Sequence, residues 1–393
     1  MGLPGVNIEL DNGSLGGVPS SKDGIAGMIL TGVTVAGAGN VTVATPYQLF
    51  SLADAIAIGI TASGTNSFAH KQIKEFYDNT DDGSELWIML VLQATSMEEA
   101  MDPSKLFATK LLDASAGSIR MLAISKKHVT TPAVVIDAGL DKDVDKAMVK
   151  AQALAESYAS NFKPFRFIVD GKSWTGVSGD LKDYKTASFN RGAVLLSATD
   201  NSKNASVGMI LGQLASLPVQ RKISRVKNGA LPISEAYTTD SKATEESENA
   251  WDSIHDKGYI FLRTFVGRSG YFFSSDVTAT ADTDDYSSMA RGRVIDKAIT
   301  IAYDTYVEEI DDEIEINDAG QIDAGIIKAL QRKVESRIEL QMAGEISGVK
   351  CLIDPTQNVL STNSIAVGIK IRPLGYKSDI DILLGFENPA TSN

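Results

Sequence analysis

PFRFIVDG (residues 164–171), GAVLLSA (192–198) and NASVGMILGQLASLP (204–218) decide the fold class. The first two are short apolar runs closed by glycine, serine or a charge, which reads as strand. The third is a longer apolar segment that stops at Pro218, which reads as helix. Upstream, Val144, Met148, Ala151, Ala155 and Tyr158 form a helical stripe. Strand and helix in alternation predict right-handed crossovers and a largely parallel sheet.

Toward the N-terminus the same alternation continues. GIAGMILTG (24–32), ELWIMLVL (85–92) and SIRMLAIS (118–125) are strands. SLADAIAIG (51–59) is a short helix with Ser51 as its cap. NSFAHKQIKEFYDN (66–79) puts Phe68, Ile73, Phe76 and Tyr77 on one helical face, and residues 97–113 form another helical segment. A linker falls near residues 228–245, where Gly229, Pro232 and a Thr/Ser/Asp run break the pattern.

The last third changes character. EESENAWDSIHDKG (245–258) is a helix ended by Gly258, followed by two strand-like pieces, YIFLRTFV and GYFFSSDVTAT. A long helix spans Ser287 to Glu309, with Val294, Ala298, Ile301 and Thr305 on one face. A second spans Asp323 to Met342, with Ile327, Leu330, Val334 and Ile338 inward. This predicts an α+β domain after the α/β region.

The closing stretch, SIAVGIKIRPLGYKSDIDILLGFENPATSN (364–393), contains two period-two patterns. Ile365, Val367, Ile369 and Ile371 form one; Ile380, Ile382, Leu384 and Phe386 form the other. The second strand could close a hairpin in its own subunit through Pro373–Asp379, or join a neighbour's sheet. Near the start, Val6, Ile8 and Leu10 alternate within a Gly/Pro/Ser-rich stretch that reads as an extended arm.

Composition narrows the function classes. A formal net charge of −13 argues against nucleic acid as the main partner, because phosphate backbones need clustered Lys and Arg. With Cys351 alone, no intramolecular disulfide is possible. MGLPGVNIEL shows no basic-then-apolar leader, so no secretory signal is expected. Residues 24–53 are uncharged but too rich in Gly and polar residues for a membrane span.

Motifs for chemistry fail one by one. Gly171-Lys172-Ser173 has Arg166 where a phosphate loop needs Gly. GAGNVT has Thr42 at the third fingerprint position. DTDDY offers Asp282 and Asp284 but has Ser287 and Arg293 where a calcium loop needs Gly and Glu. His70, His128 and His255 lack metal-ligand spacing. No catalytic, cofactor-binding or metal set is expected. The rival reading is an α/β enzyme with its ligand at the carboxyl ends of the strands, where the loop bearing Lys172 and Trp174 is the place to look.

The order of segments resembles the contractile tail sheath proteins of bacteriophages and related injection systems. GIAGMILTG, TPYQLFSLADAIAIG, AHKQIKEFYDN and ELWIMLV are similar to the family's opening order. ASVGMILGQLASLPVQRKISRVKNGAL is similar to its middle helix and the extended stretch ending in Asn. NAWDSIHDKGYIFLRTFVGRSGYFFSSDVTAT, YSSMARGRVIDKAITIAYDTYV, IIKALQRKVESRIELQMAGEISGVKCLIDPTQN and IAVGIKIRPLGYKSDIDILLGF resemble its C-terminal third. Two departures stand out: YFFSSDVTAT matches the family's aromatic-Gly-Ala-Arg-Thr strand end only loosely, and Arg291-Gly292-Arg293 replaces its Arg-Arg.

The resemblance implies a non-enzymatic, multidomain α/β and α+β subunit without cofactors. Its parts would be an N-terminal arm (1–22), an α/β outer and middle region (23–240), a C-terminal α+β inner domain (241–378) and a C-terminal arm (379–393). Such subunits polymerise helically around an inner tube and contract from a metastable extended state. Partners would be further copies, the tube protein, and baseplate and tail-terminator proteins, with no nucleic acid and no membrane insertion. The setting would be a virion tail assembled in the bacterial cytoplasm, or an extracellular particle. Another structural tail or capsid component is a further alternative.

Under this reading Val6, Ile8, Leu10, Ile380, Ile382, Leu384 and Phe386 are inter-subunit strand positions. Gly13, Gly16, Gly17 and Gly375 would serve as arm hinges. Lys328, Arg332, Lys333 and Arg337, set four apart in two rows, could attach to an acidic tube. The plainer reading of those rows is a solvated helix face with Glu335 and Glu339 as partners.

Overall fold

The computed structural model describes residues 22–318, 320–378 and 380–385. Its contacts divide the chain into two units, with the boundary between Glu315 and Ile316.

In the first unit the strands longer than two residues are β1 (Ala26–Thr31), β2 (Pro46–Leu49), β3 (Leu86–Val91), β4 (Met121–Ser125), β5 (Arg166–Asp170), β6 (Gly192–Leu195), β7 (Leu262–Phe265) and β8 (Arg268–Phe273). The helices are α1 (Leu52–Ala57), α2 (Ser67–Tyr77), α3 (Met97–Met101), α4 (Ala108–Ala114), α5 (Asp143–Ser160), α6 (Val207–Ser216), α7 (Trp251–Asp256) and α8 (Met289–Tyr306). One six-stranded sheet runs β2-β3-β1-β4-β5-β6, parallel except for the edge strand β2.

Both sheet faces are covered, which is why its strands read as continuous apolar runs. Ile29, Met89, Leu122, Phe167 and Val194 face helices α3, α4 and α5. Their neighbours Met28, Ile88, Ala123, Ile168 and Ala193 face α2 and α6 on the other side. Helix α6 packs closely on α2: a Cβ at Gly208 would stand 1.8 Å from the Gln72 carbonyl oxygen. Gln72 then holds both ends of that contact, accepting from Gly208 N–H and donating to the Ala205 carbonyl.

Ser51 caps α1 in a full capping box with Asp54. The helix expected over 97–113 is two helices, α3 and α4, because Pro103 supplies no N–H and disfavours helix before it. The linker expected near 228–245 is stitched to this unit. Leu231 N–H donates to the Tyr271 carbonyl, and Thr239 N–H donates to that of Leu196. Residues beyond it belong to the same unit: Ile260 forms a parallel bridge to Leu195 at the sheet edge, and β7 and β8 make a hairpin.

Helix α8 is fixed to the sheet by a buried ion network. Arg166, at the start of β5, donates from Nε and Nη2 to the two carboxylate oxygens of Asp296 at 2.7 and 3.2 Å. Arg191 donates to the same carboxylate at 3.2 Å. Arg166 also reaches the carbonyls of Asn190 and Gly292. Gly292 makes room for it: a Cβ there would lie 2.2 Å from the guanidinium carbon. Segment 241–315, assigned to the C-terminal domain from sequence, therefore packs with the α/β unit.

The second unit contains α9 (Ala324–Gln341), β9 (Ile346–Ile353) and β10 (Val367–Pro373). Asp323 caps α9 by accepting from Gly325 N–H. Strands β9 and β10 form an antiparallel two-stranded sheet.

Candidate assembly surface

A two-stranded sheet is marginal unless something packs on it or extends it. In the second unit α9 packs on β9, with Ile327, Val334 and Ile338 buried. Cys351 and Ile353 of β9 are buried, whereas Val367, Ile369 and Ile371 of β10 remain half-exposed. Glu335 accepts the Cys351 N–H at 2.6 Å, so it braces β9 rather than partnering the basic rows. β10 pairs only with β9 among the described residues.

Beyond Pro373 the described residues have no regular structure, and 380–385 form no hairpin with β10. Ile380, Ile382, Leu383 and Leu384 are 73, 80, 102 and 91% exposed. Four apolar side chains of one short segment are thus held in water, more than scattered single exposure would give. A Cβ at Gly375 would meet nothing within 4 Å, so space does not demand glycine there. Val6, Ile8, Leu10, Gly13, Gly16, Gly17 and Phe386 lie outside the described residues.

On α9, Lys328 and Arg332 are exposed, and neither has an ion-pair partner among the described residues. Lys333 and Arg337 are half-buried. The acidic run after α8 is largely exposed: Glu308, Asp311, Asp312, Glu313 and Glu315 all face solvent.

The carboxyl ends of β4 and β5, where the rival enzyme reading would place a ligand, are filled by protein. Asp170 is fully buried and accepts from Ser125 Oγ, Asn204 Nδ2 and Ala205 N–H at 2.6–2.7 Å. Burial pushes its carboxyl up to about 6 against the pull of those donors. Lys172 is buried with its ammonium 3.0 Å from Asp141, and Trp174 is buried and donates to the Val177 carbonyl. Neither is presented to a ligand. His128 shares a 2.9 Å hydrogen bond with the buried Ser173. These polar groups staple loops to the sheet.

Two features escaped the sequence reading. Strand β9 is not among the strands read from the sequence, although Val349, Cys351 and Ile353 alternate with Lys350 and Leu352. The Arg166–Asp296 pair spans 130 residues; its only local trace is a lone Arg in an apolar strand.

Family models for the N-terminal and C-terminal domains of DUF2586 match residues 3–276 and 285–391. The chain belongs to the DUF2586 family. No curated protein matches it by sequence. Among solved structures, this DUF2586 chain is similar to a chain of the anti-feeding prophage (AFP) baseplate, 6-fold symmetrised, at 13% identity and a TM-score of 0.64, covering 99% of this chain and 100% of that one. It is similar to the AFP helical sheath in its contracted state at 13% identity and a TM-score of 0.62, covering 99% and 100%. It also resembles a chain of the PVC sheath complex, an extracellular contractile injection system in its contracted state. There the identity is 12%, the TM-score 0.62, and the coverage 100% and 99%. At these identities the likeness is one of fold: this DUF2586 chain has the mixed α/β, sheath-like fold of contractile injection systems along its whole length.

Proposed function

We propose that this chain is a structural, non-catalytic sheath subunit. It polymerises helically around an inner tube and contracts from a metastable extended state to drive that tube into a target envelope. The observation that supports this most is the end-to-end likeness to a helical sheath, with 99% of this chain and 100% of that one aligned. The second unit fits the role, since it pairs a two-stranded sheet with an exposed apolar strand candidate at 380–385.

In this reading residues 1–22 and 379–393 are arms that add strands to the sheets of other copies. Backbone hydrogen bonds supply the affinity and alternate side chains fill the pockets. Two arms per subunit raise each other's effective concentration and make a cooperative mesh. Contraction is then a rigid-body rotation of subunits about flexible arms, with Gly13, Gly16, Gly17 and Gly375 as hinges. Lys328, Arg332, Lys333 and Arg337 give a salt-sensitive attachment to an acidic tube surface. Other partners are baseplate and terminator proteins, and the particle is a phage tail or an extracellular injection device.

Negative-stain electron microscopy of the recombinant chain, with and without residues 379–393, tests this. Hollow tubes from the full chain and none from the truncated one are expected. Small particles from the full chain, even with tube protein added, would overturn the assignment.

A further inference from the structure

Helix α5 ends in a complete Schellman motif: Phe162 N–H donates to the Ala159 carbonyl and Lys163 N–H to that of Tyr158. The left-handed position of that motif favours glycine, yet Phe162 holds it at φ +60°. The ring is not buried in return. It stacks on Tyr303 of α8, with centroids 4.4 Å apart and planes 19° from parallel, and both residues are exposed. Val307, one turn past Tyr303, and Ile310 beyond it are exposed as well. The exposed acids Asp311, Asp312, Glu313 and Glu315 follow directly. A strained aromatic left in water beside further apolar side chains is a feature that folding alone does not explain.

The β7–β8 hairpin has the complementary character. At its tip Val266 is fully exposed beside Gly267, which makes the turn at φ +76°. Arg263 lies over the rings of Phe265 and Trp251, 4.4 and 5.6 Å from their centroids. Its Nε is buried and makes no hydrogen bond among the described residues. Arg268 stands opposite Phe265 and is exposed. Neither arginine has an ion-pair partner among the described residues, in a chain whose net charge is −13. Stacking fixes the Arg263 guanidinium and leaves its donors for a carboxylate.

The two surfaces lie at opposite ends of the sheet. Ile260 pairs in parallel with Leu195, the last residue of β6, so the chain leading into β7 runs past the carboxyl ends of the strands. Phe162 comes four residues before Arg166, the first residue of β5, and so lies past their amino ends. The five residues of β5 alone span about 16 Å, which keeps the two surfaces of one chain apart. We propose that the β7–β8 hairpin of one copy docks on the Phe162–Tyr303 surface of the next, with Val266 on the ring pair and Arg263 and Arg268 toward the acids at 311–315. The contact joins unlike surfaces, so it repeats head to tail and builds a ring or a helical strand rather than a closed pair. It rests on the sheath reading and adds to it a contact between the first units of neighbouring copies that involves neither arm.

The test uses the full chain, with tube protein where polymer needs it, and reads the critical concentration for polymer by pelleting. Phe162→Gly separates docking from folding, because glycine suits φ +60°. It should leave the melting temperature unchanged or higher and raise the critical concentration roughly five- to thirtyfold. Val266→Asp should weaken assembly to a similar degree while circular dichroism stays native. Arg268→Glu, and separately Asp311→Lys/Asp312→Lys/Glu313→Lys, should each weaken assembly. An equimolar mixture of these two variants should restore it, because each hairpin then meets the opposite charge on the other variant. Recovery only when all the reversals share one chain would place the contact within a chain and overturn the proposal. Native assembly by both Phe162→Gly and Val266→Asp would also overturn it and leave the sheath reading standing. A native chain that forms no polymer, with or without tube protein, would overturn both.

Discussion

Removing the Asp296 carboxylate is the sharpest perturbation of the first unit. The side chain of Arg166 is 2% exposed and that of Asp296 is 6% exposed. Asp296→Ala deletes three charge-assisted hydrogen bonds, two from Arg166 and one from Arg191. Arg166 would keep its bonds to the Asn190 and Gly292 carbonyls but lose its anion. A buried cation stranded in this way costs about 3–5 kcal/mol, and the two surviving carbonyls favour the lower end. With a urea slope of roughly 3 kcal/mol/M, the unfolding midpoint should fall by about 1 M. Urea titration followed by tryptophan fluorescence reads this, since Trp87, Trp174 and Trp251 all pack in this unit. The double variant Arg166→Met/Asp296→Leu should return to within about 2 kcal/mol of the native chain, because apolar pairs commonly replace buried ion pairs without loss. A midpoint unchanged by Asp296→Ala, or a double variant worse than either single one, would refute the claim that this pair clamps α8 to the sheet.

Gly292→Ala and Gly208→Ala should each cost several kcal/mol. Their new methyl groups would stand 2.2 Å from the Arg166 guanidinium and 1.8 Å from the Gln72 carbonyl oxygen; thermal melts would show the loss. The folded state binds the Asp170 proton more tightly than the unfolded chain does, so its stabilising contribution is complete below about pH 4 and is lost as the pH rises to about 6. Relative to Asp170→Asn, the native chain should lose about 3 kcal/mol across that window; parallel stability–pH curves would contradict this. Burial pushes Glu75 and Asp276 in the same direction, so the comparison with the variant is what isolates Asp170. Reversing Lys328 and Arg332 to Glu should leave the monomer's melting curve unchanged and abolish co-assembly with tube, measured by pelleting, because both side chains are exposed.

Much of the α/β unit was legible because its signals are local. Doubly covered strands such as Leu86–Val91 announce themselves as apolar runs, and the stripe on Asp143–Ser160 has a clear helical period. Start and stop signals also held: Ser51 caps the N-terminus of α1, and Gly258 takes the left-handed conformation after α7 at φ +82°. What stayed hidden depends on contacts far apart in sequence. Nothing near Arg166 points to Asp296, and nothing near residue 240 says that the following segment returns to the sheet edge through Ile260. Strand β9 was obscured because its alternation includes Gly348 and a bulge between Ile346 and Gly348. The candidate assembly surface was half legible. The strand pattern of 380–384 is plain in sequence, whereas the pairing of β10 with β9 alone, among the described residues, appears only in the structure.

A cryo-EM reconstruction of the assembled polymer, traced through residues 367–386, tests the central claim most directly. The account predicts a strand formed by 380–385 lying along β10 of a different subunit, with the intervening chain crossing between copies. The same strand folded back onto β10 of its own chain, or a bare β10 edge in a stable polymer, would contradict it.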